Sequence, residues 1–297
     1  MHSHSSSLAH LLATRRVVLL DGGMGSEIER RGFPTELPLW SARALLENPA
    51  LVKEIHRDYI RAGADIVTTN TFRTNRRTLA KKGFGDRTEE LVALACRLPR
   101  EAWEESGCHG LTAYAIAPLE DCYTPALVPD RTSLLREHEE QVRLAAEQDI
   151  NFIKAETFNS IREAEAVARF AAESGREFTM SFLVEGEHLL NGDLLAQAVE
   201  TIEPYGPVAF LVNCRPPERL TLSLETLQQC TERPTGIYAN GMGIADDAVG
   251  GKNRPIGIDA AEYIDWVRRW IDMGARLIGG CCGTTPAHIS AIRKIVG

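Results

Sequence analysis

Short, uninterrupted apolar runs recur along the chain, separated by segments whose apolar residues return every three or four positions. The first run, Val17-Val18-Leu19-Leu20, shows no alternation of polar and apolar side chains, the mark of a strand buried on both faces. Runs of the same kind lie at 65–69, 111–117, 150–155, 178–184, 208–212, 235–239 and 276–278. Between them, helical spacing predicts helices over 51–62, 88–105, 134–148, 161–171, 193–203, 218–230 and 260–273. Gly63 stops the first of these. Ile289, Ile292 and Ile295 or Val296 give a last helix its face, with Thr285 as N-cap and Pro286 at its first position.

Eight strand-then-helix units follow one another without a linker or a break in composition. That count predicts an α/β fold, a single-domain closed parallel (β/α)8 TIM barrel over residues 15–297. An open doubly wound sheet is the competing arrangement. Residues 1–14, which begin with the polar Met1-His2-Ser3-His4-Ser5-Ser6-Ser7, are expected to form a flexible tail. Asp21, Asn70, Glu156, Cys214, Asn240, Cys281 and Cys282 each sit just past the C-terminal end of a predicted strand. In a barrel those ends share one face, where active sites of the fold are built.

Composition narrows the partners. The formal charge of −8 argues against nucleic acid and anionic membrane surfaces, both of which need a basic footprint. A small-molecule substrate is the expected partner, and a homo-oligomer is compatible with the sequence. The segment before Arg15-Arg16 is too short for the apolar core of a signal peptide, and apolar runs stay well short of the 18 or so residues of a membrane helix. Seven cysteines, an odd number in 297 residues, fit a reducing, cytoplasmic setting better than a disulfide framework.

The chemistry concentrates near the C-terminus, in Gly279-Gly280-Cys281-Cys282-Gly283. Successive side chains on a regular strand point to opposite faces; the flanking glycines are expected to let the backbone turn both sulfurs the same way. Cys214, at the end of its own apolar run, supplies a third thiol. Three thiolates with a fourth position open describe a Zn2+ ion that binds and activates a substrate. The bland reading is packing thiols, which is adopted for Cys96, Cys108 and Cys230; Cys122, in the loop after the third strand, is left open. Asp21 and Glu156 read as a pair that grips a substrate ammonium, with helix capping the alternative for Asp21. Asp21-Gly22-Gly23-Met24-Gly25 has neither the G-x-G-x-x-G spacing nor a phosphate-loop lysine, which discounts nucleotides. His138 lies on the buried stripe of its helix with Leu135 and Val142 and reads as structural, and His288 as a first-turn capping or solvated residue.

Asp21-Gly22-Gly23-Met24-Gly25, Thr69-Asn70-Thr71-Phe72, Asn213-Cys214 and Gly279-Gly280-Cys281-Cys282-Gly283-Thr284-Thr285-Pro286, taken together, resemble the homocysteine S-methyltransferase family. The resemblance implies a zinc-dependent barrel that methylates homocysteine to methionine, with Cys214, Cys281 and Cys282 as catalytic metal ligands. It implies that Asp21 and Glu156 take the amino group of homocysteine and that main-chain amides near the strand ends take its carboxylate. Gly22, Gly23, Asn70 and Thr71 are candidates for the remaining acceptor contacts, and Asn240 resembles an asparagine that in some relatives fills the open zinc position. The methyl donor would be a sulfonium or quaternary ammonium compound, S-methylmethionine, S-adenosylmethionine or a betaine. Trp40, Phe72 and Tyr123 are placed to offer it cation–π contacts. The loops Ala117-Pro118-Leu119-Glu120-Asp121-Cys122-Tyr123 and Tyr238-Ala239-Asn240-Gly241-Met242 depart from the family pattern, leaving the donor open. Competing readings are work with a separate corrinoid protein, transfer to another thiol acceptor, and a non-catalytic zinc-binding or redox-sensing barrel. The chain has no D-x-H-x-x-G segment of its own.

Overall fold

The computed structural model describes residues 7–241 and 257–297. Within them all eight predicted strands are present: Val18–Leu19, Ile66–Thr68, Leu111–Ile116, Phe152–Phe158, Phe178–Phe182, Ala209–Asn213, Thr235–Ala239 and Leu277–Gly280. They lie side by side in chain order, each parallel to its neighbour. A parallel bridge from Leu20 to Ile66 joins the first strand to the second and completes the ring. The fold is therefore the (β/α)8 barrel, not the open sheet.

The pleat sorts each strand into two cores. Val18, Leu20, Leu111, Ala113, Phe152, Ala209, Leu211 and Leu277 pack inside the ring. Their strand neighbours Leu19, Tyr114, Ile153 and Phe210 pack outward against the helices, as a two-residue period requires. This explains why the runs read as continuously apolar: both faces are buried. On the fourth strand the same alternation puts Lys154 and Glu156 on the inner face with Phe152.

The chain departs from its predicted course at several places. Leu8–Thr14 is a helix, not a flexible tail: Ser7 caps it, Glu177 accepts from the N–H groups of Leu8 (2.7 Å) and Ala9 (3.3 Å), and Leu8 and Leu12 are buried. Their partners are the strand-start residues inside the ring, so the helix stoppers the end of the barrel opposite the candidate site. Seven residues are too few to display a helical period. Helix Met24–Arg30 is the one presupposed by the capping alternative for Asp21, whereas helix Ala42–Glu47, six residues long, and a hairpin pairing Val184–Glu185 with His188–Leu189 were not predicted. The last helix runs Pro286–Val296 and has Thr285 as its N-cap, as expected. Among the described residues no helix is long and apolar enough to cross a membrane.

If the stopper contributes to the core, Leu8→Ala destabilises the protein by about 2–5 kcal/mol, the cost of an unfilled buried leucine. Urea unfolding followed by circular dichroism measures it. A change below about 0.5 kcal/mol, typical of a surface position, would restore the flexible-tail reading.

Candidate metal and acceptor site

At the C-terminal mouth of the ring the sulfurs of Cys214, Cys281 and Cys282 lie within 4.8 Å of one another. Cys214 follows the sixth strand in the left-handed region (φ 63°), a conformation that costs a non-glycine residue roughly 1 kcal/mol or more and is kept only where surroundings enforce it. The enforcing contact is Asn213, fully buried, whose amide donates to Thr157 Oγ1 (2.8 Å) and accepts from Ser181 Oγ (2.7 Å). Thr157 is itself at positive φ (69°), beside a register shift in the fourth strand. One side chain thus ties the strand end that carries Glu156 to the strand end that carries Cys214.

The glycines around the cysteine pair act differently from expectation. Of Gly279, Gly280 and Gly283 only Gly283 has positive φ (79°). Gly279 is required by close approach, since a Cβ there would lie 2.6 Å from Leu20 Cβ and 2.9 Å from the Asp21 carbonyl oxygen; at Gly280 it would collide with the Thr284 side chain. Gly23 faces the same stricture from the other side, 2.6 Å from the Cys281 carbonyl oxygen. The two loops are stitched together where they touch: Gly283 N–H donates to Ser26 Oγ (2.8 Å), and Gly23 N–H to Thr284 Oγ1 (3.2 Å).

The sulfurs are electrostatically coupled. Hydrogen bonds from Cys281 and Cys282 pull the Cys214 thiol down to about 5, and the same contacts push Cys281 and Cys282 up. Tyr123 OH lies 2.8 Å from Cys214 Sγ. One anionic sulfur held by two thiol donors is the metal-free counterpart of a thiolate cluster. Sulfurs about 2.3 Å from one tetrahedral ion would stand about 3.8 Å apart, so the triad needs little movement to enclose one. The residues fit a metal.

Asp21, Gly22, Gly23, Asn70, Glu156, Cys214, Cys281 and Cys282 line one cavity, with Trp40, Phe72 and Cys122 at its wall. Asp21 does not cap a helix. Its carboxylate accepts from Thr68 N–H (2.7 Å) and Thr68 Oγ1 (2.9 Å) across the closing seam. Glu156 Oε2 accepts from Lys154 Nζ (2.8 Å) and Tyr238 OH (3.1 Å). Lys154, which the sequence reading passed over, also reaches Thr68 Oγ1 (3.3 Å) and lies 4.2 Å from the Tyr238 ring centroid. A charged residue in the middle of an apolar strand, two positions before Glu156, was the available signal.

Other expected site residues are placed differently. Thr71 spends its hydroxyl on the Ala115 carbonyl (2.8 Å) and on Thr69 (2.7 Å), outside the cavity lining. Asn70 lines the cavity and anchors the Trp40 segment by donating to the Ser41 carbonyl (2.9 Å). Asn240 lies outside the lining, buried, with no hydrogen-bond partner for Oδ1 among the described residues; Met242 in the same loop lies outside the described residues. Cys122 is buried in the cluster with Cys214, where burial pushes its thiol up to about 12. Cys96 is buried as expected, but Cys108 is exposed and does not pack. His138 is structural, 3.0 Å from Glu163 with both side chains buried, and His288 caps its helix.

Comparison with known proteins agrees with this geometry. A profile of the family described as homocysteine S-methyltransferase matches residues 18–296. Homocysteine S-methyltransferase of Escherichia coli (strain K12) is 31% identical over 312 residues, 98% of this chain and 99% of that one. Homocysteine S-methyltransferase YbgG of Bacillus subtilis (strain 168) is 30% identical over 305 residues, 96% of each. The crystal structure of the metallated form of the homocysteine methyltransferase MmuM from Escherichia coli superposes with a TM-score of 0.82, at 30% identity, covering 96% of this chain and 98% of that one.

Burial pushes the Asp21 carboxyl from 3.8 up to about 6, against the pull of Lys154 and Thr68. The folded protein therefore holds this proton more tightly than the unfolded chain, so the stability it confers is full at low pH and is lost as pH rises through about 6. A rise from 3.8 to about 6 corresponds to about 3 kcal/mol. In metal-free protein, the stability of the wild type relative to Asp21→Asn should fall by about that amount between roughly pH 4 and pH 7. Urea unfolding at the two pH values decides it, and equal differences would place Asp21 among ordinary carboxylates.

Proposed function

The chain belongs to the homocysteine S-methyltransferase family, and from that premise we propose that it transfers a methyl group from a cationic donor to homocysteine at a zinc ion held by Cys214, Cys281 and Cys282. The observation that carries this reading is the convergence of three sulfurs within 4.8 Å beside two buried carboxylates in one cavity. When bound, the zinc would hold the acceptor sulfur as a thiolate at its open position, where a free alkyl thiol of pKa about 8.5 is only about 3% ionised at pH 7. That gain is about 30-fold, or about 2 kcal/mol, so most of the rate must come from alignment, whose effective molarities reach about 10⁵ M or more.

The protein's own residues supply the alignment. Asp21 and Glu156 form the polar end of the acceptor pocket, and Gly22 and Gly23 line the same cavity next to it. Trp40 and Phe72 meet edge to face, ring centroids 5.8 Å apart, at the cavity wall. Their faces suit a sulfonium or quaternary ammonium donor. Transfer forms a bond between the methyl carbon and the acceptor sulfur as the bond from that carbon to the donor heteroatom breaks. The electron pair leaves with the demethylated donor, and methionine is the other product. A sulfonium such as S-methylmethionine or S-adenosylmethionine is the favoured donor over a betaine. Tyr123, by contrast, serves the cysteines: its hydroxyl meets Cys214 Sγ and the Cys214 carbonyl (3.3 Å). Asn240, whose buried Oδ1 has no partner among the described residues, would take a place near the metal when no acceptor is bound. Seven free thiols support a reducing, cytoplasmic setting.

Alanine at Cys214, Cys281 or Cys282 should abolish stoichiometric zinc, measured by mass spectrometry of the metal, together with methionine formation. Full zinc retention by all three variants would exclude this metal site.

Glu156→Gln should retain zinc and weaken homocysteine binding by about 3- to 10-fold, less than a full charge-assisted contact because Lys154 already pairs with this carboxylate. Calorimetric titration with the zinc-loaded protein measures it. Unchanged affinity would remove Glu156 from acceptor recognition.

A further inference from the structure

Two buried carboxylates at the end of a thiol pocket raise a question of charge balance. Burial and mutual repulsion disfavour ionised acids, and a cation must offset both. In a pocket without an internal cation, the ammonium of an amino-acid substrate would be that cation. A thiol lacking it would then leave buried charge unpaired, and sites of that kind reject such analogues by factors of about 10⁴.

Here the cation is already present. Lys154 is 4% exposed and sits on the inner face of the fourth strand, two residues before Glu156. Its Nζ is 2.8 Å from Glu156 Oε2 and 3.3 Å from Thr68 Oγ1, and that hydroxyl donates to Asp21. The lysine therefore engages one acid directly and the other through a shared hydroxyl. Burial opposes its charge, but the attraction of Glu156 and Asp21 outweighs burial and keeps it protonated. Its remaining side meets the Tyr238 ring at 4.2 Å, a further stabilising contact for a buried ammonium. Asp21 is engaged through both oxygens and Glu156 through one. Glu156 Oε2 already accepts from both Lys154 and Tyr238, and both Asp21 oxygens accept from Thr68.

We propose that Lys154 is the specificity-determining residue of the acceptor pocket, its ammonium standing in for the α-amino group of an amino-acid thiol, so that the site also takes mercapto acids that lack an amino group. The inference rests on the reading that this pocket holds the acceptor. An acceptor without an ammonium leaves one net negative charge here, where the same pocket without the lysine would leave two. One with an ammonium brings a second cation up to the first and gains correspondingly little.

The test compares homocysteine with 4-mercaptobutanoate, the same skeleton without the amino group, by calorimetric titration of zinc-loaded protein under reducing conditions. The wild type should bind the two within about tenfold of each other. Lys154→Met should widen the ratio in favour of homocysteine by about tenfold or more, because the acids then have only the substrate to pair with. A wild-type preference for homocysteine above about tenfold overturns the proposal, as does a ratio that Lys154→Met widens by less than that. If Lys154→Met does not fold, Lys154→Gln, which keeps a hydrogen-bond donor near Glu156 without the charge, carries the same expectation. Homocysteine binding with the wrong ratio leaves the acceptor reading standing. If neither thiol binds the wild-type zinc protein, both readings are overturned.

Discussion

The closing seam between the first and second strands is the constraint on which the site depends. It is short: one bridge from Leu20 to Ile66, the Asp65 N–H to Leu19 carbonyl bond (2.8 Å), the Leu19 N–H to Asp65 Oδ2 bond (2.9 Å), and the two hydrogen bonds that Asp21 accepts from Thr68. Without it the strands would form an open sheet whose first strand end is free. With it, Gly22 and Gly23 are pressed against the cysteine loop closely enough that neither tolerates a side chain: a Cβ at Gly22 would come within 2.8 Å of Thr284 and Tyr59. The same carboxylate that seals the ring faces the cavity, so closure and acceptor recognition share Asp21.

Backbone strain gathers around this mouth. The non-glycine residues at positive φ among the described residues are Trp40, Thr157 and Cys214. Each belongs to the cavity lining. The cost, of order 1–3 kcal/mol apiece, is met by buried polar locks: Asn213 holds Thr157 and sets the base of Cys214, and Asn70 holds Ser41 next to Trp40. The sixth-strand asparagine and the cysteine after it thus divide the labour, one fixing geometry and the other offering sulfur.

These locks also explain what the sequence could and could not reveal. Strands buried on both faces announce themselves as apolar runs, and the eightfold alternation with helices left little choice of topology. Thiols and carboxylates at strand ends were legible because their chemistry is distinctive and their position is shared. Lys154 was not, because a lysine inside an apolar run looks like an exception to the strand until its pairing with Glu156 across two residues is seen. Leu8 and Leu12 were hidden for a related reason: a two-turn stopper has too few residues for a period, and its buried face exists only because the ring leaves an end to fill. The roles of Gly279 and Gly280 depend on what approaches them from Leu20 and Thr284, which lies more than 250 residues away or four residues away and is invisible to local reading in either case.

Charge ordering along the barrel axis follows from these placements. Apolar side chains fill the ring beneath, from the stopper helix up to Phe152 and Leu211. Lys154 is the first charge above them, Glu156 and Asp21 surround it, and the sulfurs complete the rim. A cation at the bottom of the polar layer offsets part of the acids' charge where water is scarce, and that charge in turn keeps the lysine protonated. With three cysteinates around a divalent ion, one net negative charge would remain at the mouth, and an acceptor thiolate would add another. The excess negative charge then faces the solvent side, where a cationic donor arrives, while the interior end is partly offset by Lys154. Such an order draws the donor by electrostatics and leaves the acceptor to be selected chiefly by its sulfur.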